Sequence, residues 1–220
     1  MPFARFALAS LILASTLSAC GQTPSWRDQW DASEQMIAMR DGVKLYTVIY
    51  VPKSKPGPFP ILMERTPYGA GSPTRPPGRM NPKMEAAGYI LVFQDVRGQG
   101  NSEGDWENVR PIKKKGQPGT DESTDCYDTI EYLVKNVPKN NNRVGMWGHS
   151  MGGYITLRAM VANQDIKAGV IWAGVVASYA EMFNSWFRRG AGPTSTSARS
   201  WRTDLVDQYG TPAENPAFWD

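Results

Sequence analysis

The sequence has 220 residues, 41% of them hydrophobic and 20% charged, which supports one good-sized core and argues against a disordered chain. The formal net charge is only +3, and the densest basic run, Lys113-Lys114-Lys115, sits between Pro111 and Gly116 in a surface loop. No periodic basic face with interleaved aromatics accompanies it, so no nucleic-acid partner is expected.

The N-terminus reads as a targeting segment. Arg5 supplies positive charge, Phe6 to Leu17 is apolar, and Leu17-Ser18-Ala19-Cys20 closes the run with small residues. The apolar stretch is too short to cross a bilayer as a helix. An apolar residue, two small ones and a cysteine resemble the bacterial lipoprotein signal, an ordinary secretory signal being the alternative. The resemblance implies a signal peptide over residues 1–19, acylation of Cys20, and attachment to the cell envelope through that lipid, facing the periplasm or the exterior. Cys126 would then be the sole remaining cysteine, without an intrachain disulfide, buried and inert on an apolar helix face.

Residues 20–35 are polar, with Trp26 and Trp30 but no period, and read as a linker to a domain over 36–220. Met36 to Arg40, the turn pair Asp41-Gly42 and the alternation of Val43 to Val51 predict a hairpin. Pro60 to Arg65 reads as a buried strand. It is followed by "TPYGAGSPTRPPGRMNP", whose Pro and Gly residues preclude regular structure over a length that is usually functional. Met80 to Ala87 predicts a short helix, Tyr89 to Gln94 a second buried strand, and "DVRGQGNSEG" a turn-rich loop. Asp125 to Val137 predicts a helix burying Tyr127, Ile130, Val134 and Val137, with acids favouring its N-terminus. Arg143 to Trp147, Gly152 to Asn163 and Ala168 to Ala173 predict a strand, an apolar helix and a further strand. Strands alternating with helices imply an α/β fold, a mostly parallel sheet covered on both faces with the hairpin at its antiparallel edge.

The strand-to-helix junction carries Gly148-His149-Ser150-Met151-Gly152. A nucleophile elbow needs glycines at these positions, because the turn is sharp and the helix packs closely on the strand. Such a turn lifts the Ser150 oxygen out of the sheet and aims the first helical N–H groups, that of Met151 among them, at a developing oxyanion. His149 is the sequence's only histidine. As the neighbour of Ser150 it projects to the other side, which suits packing rather than general-base catalysis.

The blocks "MRDGVKLYTVIYVP", "RTPYG", "GYILVFQDVRGQGNSEGDWENVRP" and "DESTDCYDTIEYLVKNVPKNNNRVGMWGHSMGG" occur in the order and spacing of one enzyme family. Over Met39 to Ala191 the chain resembles the α/β-hydrolases that include α-amino-acid ester hydrolases, glutaryl acylases, cocaine esterase and Xaa-Pro dipeptidyl-peptidases. The resemblance implies serine acyl transfer on a small ester, amide or short peptide, with the tyrosine of "RTPYG", Tyr68, as second oxyanion donor. It implies no cofactor and no metal. Two features depart from the family: Met151 replaces an aromatic after the nucleophile, and Asn184-Ser185 stand where an acid precedes Trp186-Phe187 in the amino-ester hydrolases.

In such enzymes the acid and the histidine follow the serine on later strands, after a helical cap, and a C-terminal β-sandwich domain comes last. These 220 residues therefore read as the N-terminal part of an α/β-hydrolase fold, truncated before its last strands, and on their own nearly inactive and marginally stable. A non-catalytic, lipid-anchored binding protein on the same fold is the alternative. A dinucleotide loop is disfavoured by the spacing Gly98-x-Gly100-x-x-x-Gly104, and the acids Asp121, Glu122, Asp125 and Asp128 read as a helix start rather than a metal site.

Overall fold

Asp41-Gly42 reverses the chain as expected: Gly42 has φ 86°, and its N–H donates to the Met39 carbonyl at 2.9 Å. The computed structural model describes residues 25–53, 55–77, 87–107, 113, 118–162, 166–174, 210 and 213–216. The hairpin joins β1 (Trp30–Ala38) to β2 (Lys44–Pro52), antiparallel from Trp30 opposite Pro52 to Ala38 opposite Lys44. β1 thus starts six positions before Met36, and a short helix, α1 (Trp26–Gln29), precedes it. The linker expected over residues 20–35 is corrected from Trp26 onward; residues 20–24 lie outside the described residues. Its polar sequence is that of an outer strand with most positions exposed, and Trp30 anchors it by packing edge-on against Tyr50.

β3 (Phe59–Thr66), β4 (Ile90–Asp95), β5 (Asn140–His149) and β6 (Ile166–Trp172) complete a six-stranded sheet in the order β1-β2-β4-β3-β5-β6. β4, β3, β5 and β6 are mutually parallel, and β2 runs antiparallel to β4. Every residue of β4 is buried, its apolar run Ile90 to Phe93 as well as Gln94 and Asp95, as in a strand covered on both faces. On one face Ile37, Leu45, Ile49, Ile61, Met63 and Val92 meet Cys126, Ile130 and Leu133 of α2 (Glu122–Asn136) and Ala159 of α3 (Met151–Ala162). On the other face Trp30, Tyr50, Leu91, Phe93 and Ala70 form a second, aromatic-rich cluster.

The buried face of α2 is shifted from the expected one. Asp125, Cys126, Thr129, Ile130 and Leu133 are buried, whereas Tyr127 is exposed beneath the Arg40 guanidinium. Polar residues occupy the inner stripe because the sheet offers them partners. Thr129 accepts a hydrogen bond from Gln94 Nε2 at 3.0 Å, and Asp125 accepts from Arg97 Nη2 at 2.6 Å. Asp121 caps the helix by accepting the Thr124 N–H at 2.8 Å, and the Asp121 N–H in turn donates to Thr124 Oγ1.

Cys20 with the signal segment, residues 80–86 of the expected short helix, Lys114-Lys115, and Asn184 to Phe187 lie outside the described residues.

Candidate active site

β5 carries the chain to Ser150, and α3 begins at the next residue. Ser150 has φ 56°, the left-handed region, which costs a residue with a Cβ of order 1–2 kcal/mol. Two backbone bonds hold it there: its N–H donates to the Trp172 carbonyl of β6 at 2.9 Å, and its own carbonyl accepts from Tyr154 at 3.1 Å. The flanking glycines follow from contact. A Cβ on Gly148 would collide with the Gly152 carbonyl, and one on Gly153 would lie 3.0 Å from the Trp172 carbonyl oxygen. The strand end and the first helical turn cross at backbone distance, which is why positions 148 and 153 favour glycine.

Strand order explains how Tyr68 and Ser150 meet across 82 positions. β3 lies beside β5 with Glu64 opposite Trp147, so the loops leaving the carboxyl ends of both strands emerge together. Tyr68 follows β3 by two residues, and its hydroxyl donates to Ser150 Oγ at 3.4 Å. Its N–H donates to Thr66 Oγ1 at 3.1 Å. Met151 is the first residue of α3, so its N–H has no acceptor within the helix. Its side chain is buried, whereas Tyr68 is 52% exposed. The His149 ring stands edge-on to Trp172, centroids 5.1 Å apart, and among the described residues no hydrogen bond joins it to Ser150.

The sequence reading missed the residues that hold the Tyr68 loop. Tyr50 on β2 donates its hydroxyl to the Ser72 and Arg75 carbonyls, each at 3.0 Å, and Arg27 reaches the Thr74 carbonyl at 2.9 Å. Asp95, at the end of β4, accepts the Ala70 N–H at 2.5 Å. A signal for Asp95 was present, an acid ending a buried apolar run just before Gly-x-Gly. Behind the loop lies a cavity of about 220 Å³ lined by Tyr50, Glu64, Ala70, Ser72, Arg75 and Phe93, which does not reach Ser150.

Two buried cations tie the sheet to α2 beneath the site. Arg65 donates from Nε to Gln94 at 2.7 Å and from Nη1 to the Glu122 carboxylate at 3.0 Å. Arg97 binds Asp125 through Nε and Nη2 and reaches Asp41 at 2.8 Å; the Asp125 hydrogen bonds hold its guanidinium well above the ordinary value. Asp128 pairs with Arg40 at 2.7 Å. Each acid near the start of α2 is therefore the helix cap or a cation's partner. Burial pushes the Cys126 thiol up to about 12, so it stays protonated and unreactive at neutral pH.

A serine held in a left-handed turn at the carboxyl end of the fifth strand, in a sheet of this order, defines the α/β-hydrolase fold. A solved α-amino acid ester hydrolase is 34% identical with a TM-score of 0.61, covering 78% of this chain and 30% of that one. An aminopeptidase from the marine sediment archaeon Thaumarchaeota archaeon is 36% identical with a TM-score of 0.60, covering 80% and 30%. Cocaine esterase of Rhodococcus sp. (strain MB1 Bresler) is 32% identical over 134 residues, 60% of this chain and 21% of that protein. Residues 41–217 match the X-Pro dipeptidyl-peptidase (S15) family, and the chain belongs to it. It spans between 21% and 30% of the length of these three relatives.

Proposed function

We propose that this chain carries the nucleophile and the oxyanion-binding part of a serine hydrolase that cleaves an ester or amide bond of a small molecule or short peptide through an acyl-enzyme. The observation that carries the reading is the juxtaposition of Ser150 at φ 56° with the Tyr68 hydroxyl 3.4 Å from its Oγ. Ser150 Oγ attacks the substrate carbonyl carbon while a general base takes its proton, and the carbonyl oxygen becomes an oxyanion. Tyr68 O–H and Met151 N–H then donate to that oxygen. Collapse of the intermediate breaks the carbonyl–oxygen or carbonyl–nitrogen bond, the base returns the proton to the departing alcohol or amine, and water releases the acid from Ser150 in the second half-reaction. With His149 packed against Trp172, the general base is a group other than His149, and without that base turnover is nearly lost.

The test is a fluorophosphonate probe applied to the full-length protein, with peptide mapping. Covalent label on Ser150 is the expected result, and a folded protein without label there returns the chain to a binding role. Tyr68→Phe keeps the ring and removes one of two oxyanion donors. It is expected to lower kcat for an activated ester by about 100-fold with little change in KM, read from steady-state kinetics.

The N-terminal Leu17-Ser18-Ala19-Cys20 supports attachment to the cell envelope by lipid on Cys20. Cells fed labelled palmitate are expected to incorporate it into this protein and not into Cys20→Ala, and equal labelling of both removes the anchor.

A further inference from the structure

The carboxyl ends of β4 and β3 are in register, Asp95 opposite Thr66, so the loop after each strand starts beside the other. Asp95 is 1% exposed and reaches into both loops. Its Oδ1 accepts the Ala70 N–H at 2.5 Å, two residues beyond Tyr68, and its Oδ2 accepts the Asn101 N–H at 2.9 Å. The Asp95 carbonyl also accepts the Ser102 hydroxyl at 2.7 Å. The second loop wraps the carboxylate closely: Gly100 has φ 56°, and a Cβ there would overlap Oδ2. Among the described residues no cation pairs with Asp95, and burial pushes its carboxyl up. The two backbone N–H donors are the partners that offset this burial.

We propose that Asp95 is a positioning residue for the oxyanion donor, its two carboxylate oxygens clamping the Tyr68 loop to the loop after β4 so that the Tyr68 hydroxyl stays in reach of Ser150. The inference rests on the acyl-transfer reading of Ser150 and Tyr68. Tyr68 is half exposed, so packing does little to hold it; Thr66 Oγ1 fixes it from one side and Asp95, through Ala70, from the other. Both oxygens of the clamp must accept, because each faces a backbone N–H. An asparagine offers one acceptor and turns its amide donors on the other N–H, releasing one loop or the other.

The experiment compares Asp95→Asn in two backgrounds of the full-length protein, the natural one and Tyr68→Phe, with p-nitrophenyl acetate as substrate. In the natural background kcat is expected to fall about 10-fold to 100-fold with KM held within about twofold, the mark of a misplaced transition-state donor. In the Tyr68→Phe background the same substitution is expected to cost almost nothing, because the donor it positions is already absent. A second readout is the ¹⁹F resonance of 3-fluorotyrosine incorporated at position 68. It is expected to shift or broaden in Asp95→Asn, whereas the same label at Tyr132 on α2 stays put and reports an intact fold. An equal loss of kcat in both backgrounds, or an unmoved resonance at position 68 with the Tyr132 label intact, overturns the proposal. Absence of turnover together with an unlabelled Ser150 overturns the acyl-transfer reading instead, and the ¹⁹F comparison still decides the clamp.

Discussion

Replacing Ser150 by glycine is expected to abolish acyl transfer and to raise the melting temperature together. The first effect follows from the loss of the nucleophile, which in a serine hydrolase lowers turnover by about 10⁶-fold and leaves only binding and oxyanion contributions. The second follows from φ 56° at a residue with a Cβ. Glycine adopts that conformation without steric cost, and after allowing for the extra freedom of its unfolded chain the net gain is about 0.5–1 kcal/mol. In a domain of roughly 150–250 residues that corresponds to about 1–4 °C. Ser150→Ala separates the two effects, because it removes the oxygen and keeps the Cβ: the same loss of turnover is expected with no rise in melting temperature. Esterase kinetics and thermal unfolding of both variants of the full-length protein provide the measurement. If the alanine and glycine proteins melt together, the elbow's backbone is not strained at this residue.

Elements whose hydrophobic pattern and flanking turn residues agree were the ones the sequence made plain. β3, β4 and β5 announce themselves as apolar runs between breakers, and the hairpin by Asp41-Gly42, because in each case hydrophobic pattern and turn chemistry agree. The parallel order of the sheet followed from the alternation of strands with helices. β1 was legible only from Met36 onward. Its first half is an exposed outer strand whose residues pair through backbone with Ile49 to Pro52, and backbone pairing leaves no trace in side-chain polarity. On α2 the hydrophobic pattern selected Tyr127 for the interior. The fold instead placed Asp125 and Thr129 there, because Arg97 and Gln94 from the sheet satisfy them. A rule that reads polar as outside fails where another element supplies the partner.

The candidate site divides in the same way. Ser150 and its glycines were legible because backbone contact between strand and helix restricts composition directly, and Tyr68 through the family's "RTPYG" block. Asp95 gave only the signal of an acid ending an apolar run, and Tyr50 gave none. Their work is done on the main chain of a distant loop, on the N–H of Ala70 and the carbonyls of Ser72 and Arg75, whose chemistry every residue shares. Only the three-dimensional order β2-β4-β3 brings those groups together.

Asp125→Ala is expected to be far more destabilising than Asp128→Ala on the same helix. The Asp125 side chain is fully buried and that of Arg97 is 5% exposed, and the two share hydrogen bonds of 2.6 and 3.0 Å. Removing the acid leaves a guanidinium with one remaining partner, Asp41, which is 35% exposed at the margin of the cluster. An uncompensated buried charge of this kind costs about 3–5 kcal/mol. Asp128→Ala breaks a pair in which Arg40 is 47% exposed, and water replaces much of what is lost, so about 1 kcal/mol is expected. Urea unfolding of the two variants measures the difference. The double variant Asp125→Leu with Arg97→Met is expected to recover most of the larger loss, because the penalty belongs to the stranded charge rather than to the missing attraction. Arg97 lies two residues after Asp95, at the head of the loop that Asp95 clamps, so Asp125→Ala is also expected to loosen that loop and lower esterase turnover. A loss no greater than that of Asp128→Ala would mean that water or Asp41 alone suffices for Arg97, and that α2 is held to the sheet chiefly by Ile130, Leu133 and the Arg65–Glu122 pair.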